Sequence, residues 1–203
     1  MISVTKNHYQ FLSILLVLFI LHSILAIIPP LNSDEALYWE HSRHLALGYY
    51  SHPPLTGWII AIITNLIGIS KYSIRLASIL LHLGTIVFVY LLAFEISKSK
   101  IFSNISIIIY SLFPLSIFFG TVITSDCSLF LFFSLTTFFL HKAIINERKH
   151  FWYYGGISAG GMMLSKFMAF LFFPGVFFFL LFIPKYRNQL LTVHPYLSFC
   201  LTL

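Results

Sequence analysis

The chain has 203 residues, of which 59% are hydrophobic and 9% are charged, and its mean hydropathy is +0.91. A soluble domain carries about 25% charged residues, so this composition excludes an ordinary soluble protein and predicts an all-α polytopic membrane protein in contact with the lipid bilayer. The net charge of +6 comes from basic residues scattered between apolar runs, so no basic stripe for nucleic-acid binding is expected.

The first apolar run covers residues 11–28, which fits a membrane-spanning helix of about 20 residues. Lys6 precedes the run and Pro29 follows it. A cleaved signal peptide is the alternative, but the run is long for one and no A-x-A-like cleavage sequence follows it. We therefore expect a retained signal anchor.

A long outer loop is predicted at residues 29–73, and its first part contains a short amphipathic helix. Asn32 is a favourable N-cap, and Glu35 three residues later forms a variant of the capping box. The helix therefore starts at about Ser33. Three side chains fall on one of its faces at helical spacing: Asp34, Tyr38 and His41.

The second part of this loop, residues 53–68, is apolar but short, and it begins with Pro53 and Pro54. A helix of this length is expected to lie in the membrane interface rather than to cross the bilayer.

Six further helices are expected in the single transmembrane domain that we assign to residues 1–203. Their predicted ranges are 74–96, 101–120, 127–142, 151–165, 167–184 and 190–203. The last range is too short to span a bilayer. The chain is therefore expected to be the N-terminal part of a longer protein or a truncated product. Either a C-terminal half or a partner chain is expected to complete the fold.

The distribution of basic residues predicts the orientation. With the N-terminus in the cytoplasm, the inner side receives eight of the twelve Lys and Arg residues and the outer side four, as the positive-inside rule requires. The bias reverses if residues 53–68 cross the membrane. We therefore expect a multi-pass protein of the inner (plasma) membrane with periplasmic or other extracytoplasmic loops. These outer loops carry Asp34, Glu35, Glu40, His52, Asp126 and Lys166.

Three of these outer residues suggest chemistry. Asp126 lies in a polar break near membrane depth, where a carboxylate is unfavourable unless it faces a cavity. Lys166 follows a glycine-rich helix and could hold a phosphate as a point charge, or could be an interfacial anchor. His52 precedes Pro53-Pro54, which hold it on a stiff turn. The sequence contains no HExxH-type motif, so no metal site is predicted, and dependence on a divalent metal is left open.

Five motifs occur in an order that resembles a known superfamily. They are DEALYW, GYYSHPPL, RLASILLHLGTIVFVYLLAFEI, SDCSLFLFFSLTTFFLHKAI and GGISAGGMMLSKFMAFLFFP. Over residues 10–200 the chain resembles the membrane glycosyltransferases of the protein O-mannosyltransferase and aminoarabinose-transferase superfamily. This resemblance implies a GT-C-like transmembrane helix bundle. It also implies transfer of a sugar from a polyprenyl-phosphate carrier to an envelope glycan, lipid or protein acceptor. The reaction would invert the anomeric carbon and would use no cofactor.

The resemblance also implies roles for individual residues. Asp34 would be the general base or would orient the acceptor, with Glu35 as its structural motif partner. Asp126 would position the acceptor or stabilise positive charge at the anomeric carbon. His52 and Lys166 would bind the carrier phosphate.

Tyr38 and His41 are assigned a supporting role in the donor and acceptor loop. Members of this superfamily are usually several hundred residues long, so we expect that this polypeptide is not active alone. The alternatives are a non-catalytic membrane protein, such as an accessory or carrier-lipid-binding subunit, and a small transporter. Transporters typically show internal repeats and midplane charges, which this sequence lacks.

Overall fold

The computed structural model describes residues 2–202, with side chains from Tyr9 onward. Every regular element in this range is helical. The α-helices are α1 (Ile2–Ile27), α2 (Ser33–Arg43), α3 (Leu55–Ile67), α4 (Lys71–Ser97), α5 (Lys100–Leu112), α6 (Pro114–Phe119), α7 (Ser125–Ile144), α8 (Phe151–Ser165), α9 (Phe172–Phe182), α10 (Pro184–Arg187) and α11 (His194–Cys200). Two 3₁₀ helices cover Phe167–Leu171 and Asn188–Leu191.

Three helices in the described range are long and apolar enough to cross a membrane: Tyr9–Ile27 of α1, α4 and α7. The number rises to four if the segment Phe167–Phe182 and the segment Pro184–Leu191, which meet at a bend of 107°, form one broken span. Only 11% of the α1 window is buried, against 44% for α4 and for α7. Helices α4 and α7 are therefore the centre of an all-α polytopic membrane protein, and α1 lies at its edge.

Small residues allow the central helices to pack closely. A Cβ atom on Gly161 of α8 would lie 2.4 Å from the Phe132 ring of α7, and one on Gly84 of α4 would lie 2.9 Å from Leu131. Neither position has room for a larger residue unless its neighbour moves, so these glycines allow α4 and α8 to pack closely against α7.

The charged side chains gather at the two ends of the bundle. At one end, hydrogen bonds join the end of α1, the start of α2, the start of α4 and the loop before α7. At the opposite end, Asn146 after α7 donates a hydrogen bond to Glu95 of α4. Helices α4 and α7 therefore both begin at the end of the bundle where α1 finishes, and the loop residues expected on the outer side share that end.

Prolines divide two of the predicted helices. The range 101–120 is not one helix, because Phe113 is extended (φ −68°, ψ 131°) and separates α5 from α6. The clash of the Pro114 ring with the preceding residue explains this conformation. Ile183, which precedes Pro184, is also extended and ends α9 at Phe182.

The last two predicted ranges contain less α-helix than expected. The range 167–184 begins with the 3₁₀ helix Phe167–Leu171. In the range 190–203, the α-helix covers only His194–Cys200. Pro195 explains part of this difference, because its missing N–H and fixed φ favour the first turn of a helix over its interior.

Candidate functional site

Helix α2 begins with a complete capping box. The Asn32 side chain accepts a hydrogen bond from the Glu35 backbone N–H at 2.8 Å, and the Glu35 carboxylate accepts one from the Asn32 N–H at 3.0 Å. These bonds satisfy two backbone donors that a helix N-terminus leaves free. The predicted helix start is confirmed, and its cap fixes the orientation of the Asp34-Glu35 pair.

Glu35 forms a buried ion pair with Arg75 at the start of α4. The Arg75 Nε and Nη2 atoms each donate a hydrogen bond of 2.7 Å to one carboxylate oxygen. The side chains of Glu35 and Arg75 are 0% and 1% exposed. Glu35 also accepts a longer bond, 3.4 Å, from the Ile123 N–H in the loop before α7. This arrangement supports a structural role for Glu35.

The remaining donors of Arg75 bind the chain that leaves α1. Its Nη1 atom donates to the Ala26 and Pro29 carbonyls at 2.8 and 2.9 Å, and its Nη2 atom donates to the Pro30 carbonyl at 2.8 Å. All five guanidinium N–H groups thus have an acceptor. We call Glu35, Arg75 and these three carbonyls the outer clamp, which joins α1, α2, α4 and the loop before α7.

Asp34 is exposed, although its neighbour Glu35 is buried. It lies in the first turn of α2, where the helix dipole favours a carboxylate. Tyr38, one turn later, is only 3% exposed. Burial raises the pKa of Tyr38, the charges of Asp34 and Asp126 raise it further, and Ser125 opposes the shift. Tyr38 is therefore a neutral phenol placed close to both acids.

Asp126 and Lys166 form an ion pair with 2.7 Å between Oδ1 and Nζ. Asp126 lies in the first turn of α7 and Lys166 directly after α8. Their side chains are 26% and 32% exposed, so an incoming ligand can reach both groups. In this arrangement the ammonium of Lys166 already has an anionic partner.

Two imidazoles surround the Tyr38 ring. The centroids of His52 and His41 lie 5.2 and 6.0 Å from that of Tyr38, each in an edge-on contact. His41 also stacks on Tyr49 with 3.8 Å between centroids. Burial and, secondarily, His52 lower the pKa of His41, which favours its neutral form. Among the described residues, the Nδ1 atoms of both imidazoles are buried and have no hydrogen-bond partner.

An apolar cavity of about 390 Å³ begins one helical turn below the Asp126–Lys166 pair. It lies between α7, α8 and the 3₁₀ helix that follows Lys166. Its lining residues are Leu129, Phe130, Phe133, Met162, Met168, Ala169, Leu171 and Phe172. A cation above an apolar cavity fits a ligand with an anionic head and a hydrocarbon tail. A second apolar cavity, of about 440 Å³, includes Trp152 and Leu140 and carries none of the predicted site residues.

The described residues contain no group of three or more His, Cys, Asp or Glu side chains that could hold a metal ion. Glu40 of α2 forms an exposed ion pair with Arg43 at 3.7 Å and contacts the His44 imidazole, just after the helix, at 3.2 Å.

The structure thus brings the predicted site residues to one end of the bundle. The charges of Asp34 and Asp126 both act on Tyr38, and Asp126 contacts Lys166. Glu35 is separated from this group because its carboxylate belongs to the outer clamp. Arg75 was missed by the sequence analysis. The sequence did contain a signal for Arg75. An ionisable residue near the start of an apolar span usually has a specific partner.

Comparisons with known proteins give two matches. A family model described as dolichyl-phosphate-mannose-protein mannosyltransferase matches residues 51–203. The lipid A galacturonosyltransferase RgtD of Rhizobium johnstonii is 48% identical over 52 residues, which cover 25% of this chain and 11% of that relative. The match therefore spans only a small part of the relative's length. No solved structure matches the chain.

Proposed function

This chain belongs to the dolichyl-phosphate-mannose-protein mannosyltransferase family, a GT-C family of membrane glycosyltransferases, and from this membership we propose that it transfers a sugar from a polyprenyl-phosphate carrier to an envelope acceptor. The reaction takes place at the outer face of the plasma membrane, with the N-terminus in the cytoplasm. The name of the RgtD relative makes lipid A the first acceptor to test and a galacturonosyl group the first sugar.

One observation carries this proposal: the ion pair of Asp126 and Lys166 lies one helical turn from residues that line an apolar cavity. A polyprenyl phosphate has the matching chemistry, since its phosphate can bind the Lys166 ammonium and its hydrocarbon tail can occupy the cavity. Binding of the phosphate replaces Asp126 as the partner of Lys166. The Asp126 carboxylate is then free to face the anomeric carbon of the donor sugar.

The transfer is a direct displacement. The acceptor hydroxyl oxygen bonds to the anomeric carbon while the bond from that carbon to the phosphate oxygen breaks. Asp34 takes the hydroxyl proton, and polyprenyl phosphate leaves with its charge stabilised by Lys166. His52 donates a hydrogen bond to the same phosphate. Asp126 stabilises positive charge on the sugar, so positioning and electrostatics supply most of the catalysis.

The supporting residues hold this arrangement. Tyr38 and His41 form the wall between the two acids and His52, and Glu35 holds the start of α2 through the outer clamp. No step of this mechanism uses a cofactor.

The test is an assay on native membranes of cells that express the gene, where any partner chain that activity needs is present, supplied with polyprenyl-phosphate galacturonic acid or mannose and with lipid A. Asp34→Asn is expected to lower turnover by about 10²- to 10⁴-fold, the usual contribution of a general base. Lys166→Gln is expected to lower kcat/KM for the donor by about 10- to 100-fold, because a hydrogen bond to a charged group is lost.

Glu40→Gln is the matched control, because Glu40 is an exposed acid of the same helix that pairs only with Arg43 and His44. Its turnover is expected to equal that of the unmodified protein. Turnover that is unaffected by Asp34→Asn, or no release of polyprenyl phosphate from either donor, would overturn the proposal.

A further inference from the structure

His22 is a buried polar residue in α1, the least buried of the three long apolar helices. It is 0% exposed, whereas only 11% of the surrounding α1 window is buried. An ionisable side chain inside a membrane span is unfavourable unless it has a specific partner, and such a residue usually has a function. The mechanism above does not use His22.

His22 forms a hydrogen bond with Thr121 in the segment between α6 and α7. Its Nδ1 atom lies 3.2 Å from the Thr121 hydroxyl oxygen. The Thr121 hydroxyl has one hydrogen, which it donates to the Ile117 carbonyl at 3.0 Å. With the Thr121 hydrogen on the Ile117 carbonyl, the Nδ1-protonated tautomer of His22 is the one that donates to Thr121. His22 thus binds the chain segment that follows α6.

The face of the His22 ring rests on Gly120. A Cβ atom at position 120 would lie 2.4 to 2.7 Å from three atoms of this ring, so only glycine allows the contact. His82 of α4 contacts His22 edge-on with 4.9 Å between centroids, and His82 itself stacks on Tyr110. These contacts fix the orientation of the ring as well as its position.

The segment held by His22 leads directly to Asp126. Ile123 donates its N–H to Glu35 of the outer clamp, and Thr124 is the N-cap of α7, which carries Asp126 in its first turn. The segment 120–124 therefore has one attachment to α1 through His22 and another to α2 through Glu35. Together these two attachments determine where α7 begins.

We propose that His22 is a positioning residue for Asp126: its Nδ1–H holds Thr121 so that the first turn of α7 presents the carboxylate of Asp126 to Lys166. This inference rests on the proposed function only for the role of Asp126 in catalysis. The positioning itself concerns two side chains in contact and can be measured without any substrate.

The test is zero-length carbodiimide coupling, which joins a carboxylate to an amine in direct contact, in the membrane-embedded protein. Mass spectrometry then measures the yield of the Asp126–Lys166 amide. His22→Leu is expected to lower this yield at least about fivefold, the factor for one lost hydrogen bond. His22→Asn is expected to restore most of it, because the side-chain amide replaces the N–H donor.

Two controls accompany this measurement. The Glu95–Lys98 pair, 3.2 Å apart at the other end of the bundle, is expected to couple equally in every variant. Thr121→Val removes the hydroxyl that accepts the His22 hydrogen bond, with little change in shape. It is expected to lower the Asp126–Lys166 yield as His22→Leu does, and it tests the proposal even if His22→Leu folds poorly.

An Asp126–Lys166 yield that is unchanged in folded His22→Leu and Thr121→Val protein would overturn the inference. A folded His22→Asn protein that does not recover the Asp126–Lys166 yield would also overturn it. A lower yield in a protein that transfers no sugar would leave the positioning role intact and remove the proposed function instead.

Discussion

Two adjacent acids of α2 have opposite environments. Glu35 has no exposed surface and each of its oxygens accepts two hydrogen bonds, whereas Asp34 faces solvent. The sequence was sufficient to predict that α2 begins at about Ser33, with Asn32 as its N-cap and Glu35 in the capping box, because capping is local. It was not sufficient to identify Arg75 as the partner, because the two residues are 40 positions apart and no local pattern relates them.

The outer clamp makes Arg75 the most sensitive position for stability. Arg75→Met leaves the Glu35 carboxylate buried without its counter-ion and is expected to lower the free energy of unfolding by about 3–5 kcal/mol. Arg75→Lys keeps the charge but cannot supply five donors in a plane, so an intermediate loss is expected. Chemical denaturation in detergent measures both.

Arg43→Met is the matched control for this prediction, because Arg43 pairs with Glu40 in an exposed ion pair. Its effect is expected to stay within about 0.5 kcal/mol, as for most surface substitutions. A loss for Arg75→Met as small as that for Arg43→Met would show that the outer clamp does not stabilise the fold.

At the scale of helices, hydropathy indicates where apolar segments lie, and proline decides where they break. The predicted range 151–165 coincides with α8, whereas the range 101–120 is divided before Pro114. That division could have been predicted from the restriction on the residue before a proline. The neighbours of the α8 glycines could not have been predicted, because they belong to other helices. Gly155 and Gly161 meet side chains of α7, whereas Gly156 and Gly160 meet the backbone near α11.

Gly156 gives a direct test of helix packing. A Cβ atom there would lie 2.3 Å from the Ser198 carbonyl oxygen, and backbone cannot rotate away as a side chain can. Gly156→Ala is therefore expected to destabilise the protein by about 1–3 kcal/mol. Thermal unfolding followed by loss of helical circular dichroism measures the change.

The matched substitution is Gly175→Ala in α9, where nothing lies within 4 Å of the added atom. Alanine favours the helix there, so a gain of about 0.5–1 kcal/mol is expected. Equal effects at Gly156 and Gly175 would mean that α11 does not pack against α8 as described.

At the scale of the whole molecule, α4 and α7 both begin at the end of the bundle where α1 finishes, and Asp34, Asp126, Lys166 and His52 share that end. The sequence predicts this grouping through the positive-inside rule, since the opposite end carries most of the basic residues. Hydropathy contains no information about the lateral arrangement of helices. The contact of Asp126 with Lys166 and the cavity below it therefore required the structure.

The orientation is tested by labelling intact cells with a membrane-impermeant thiol reagent in a Cys200→Ser background, because Cys200 is exposed and Cys127 is buried. Leu47→Cys, at a position that is 90% exposed in the outer loop, is expected to react. Lys149→Cys, exposed at the opposite end, is expected to react only after the membrane is permeabilised. The reverse pattern would place the candidate site on the cytoplasmic side.

The outer clamp also imposes an order on biosynthesis. Glu35 leaves the ribosome 40 residues before Arg75 and 88 residues before Ile123, so its carboxylate has neither partner while the first helix enters the membrane. The loop that carries Asp34 is among the first segments to be translated. It reaches its final form only after α4 has inserted and the chain has returned to the same side at the start of α7.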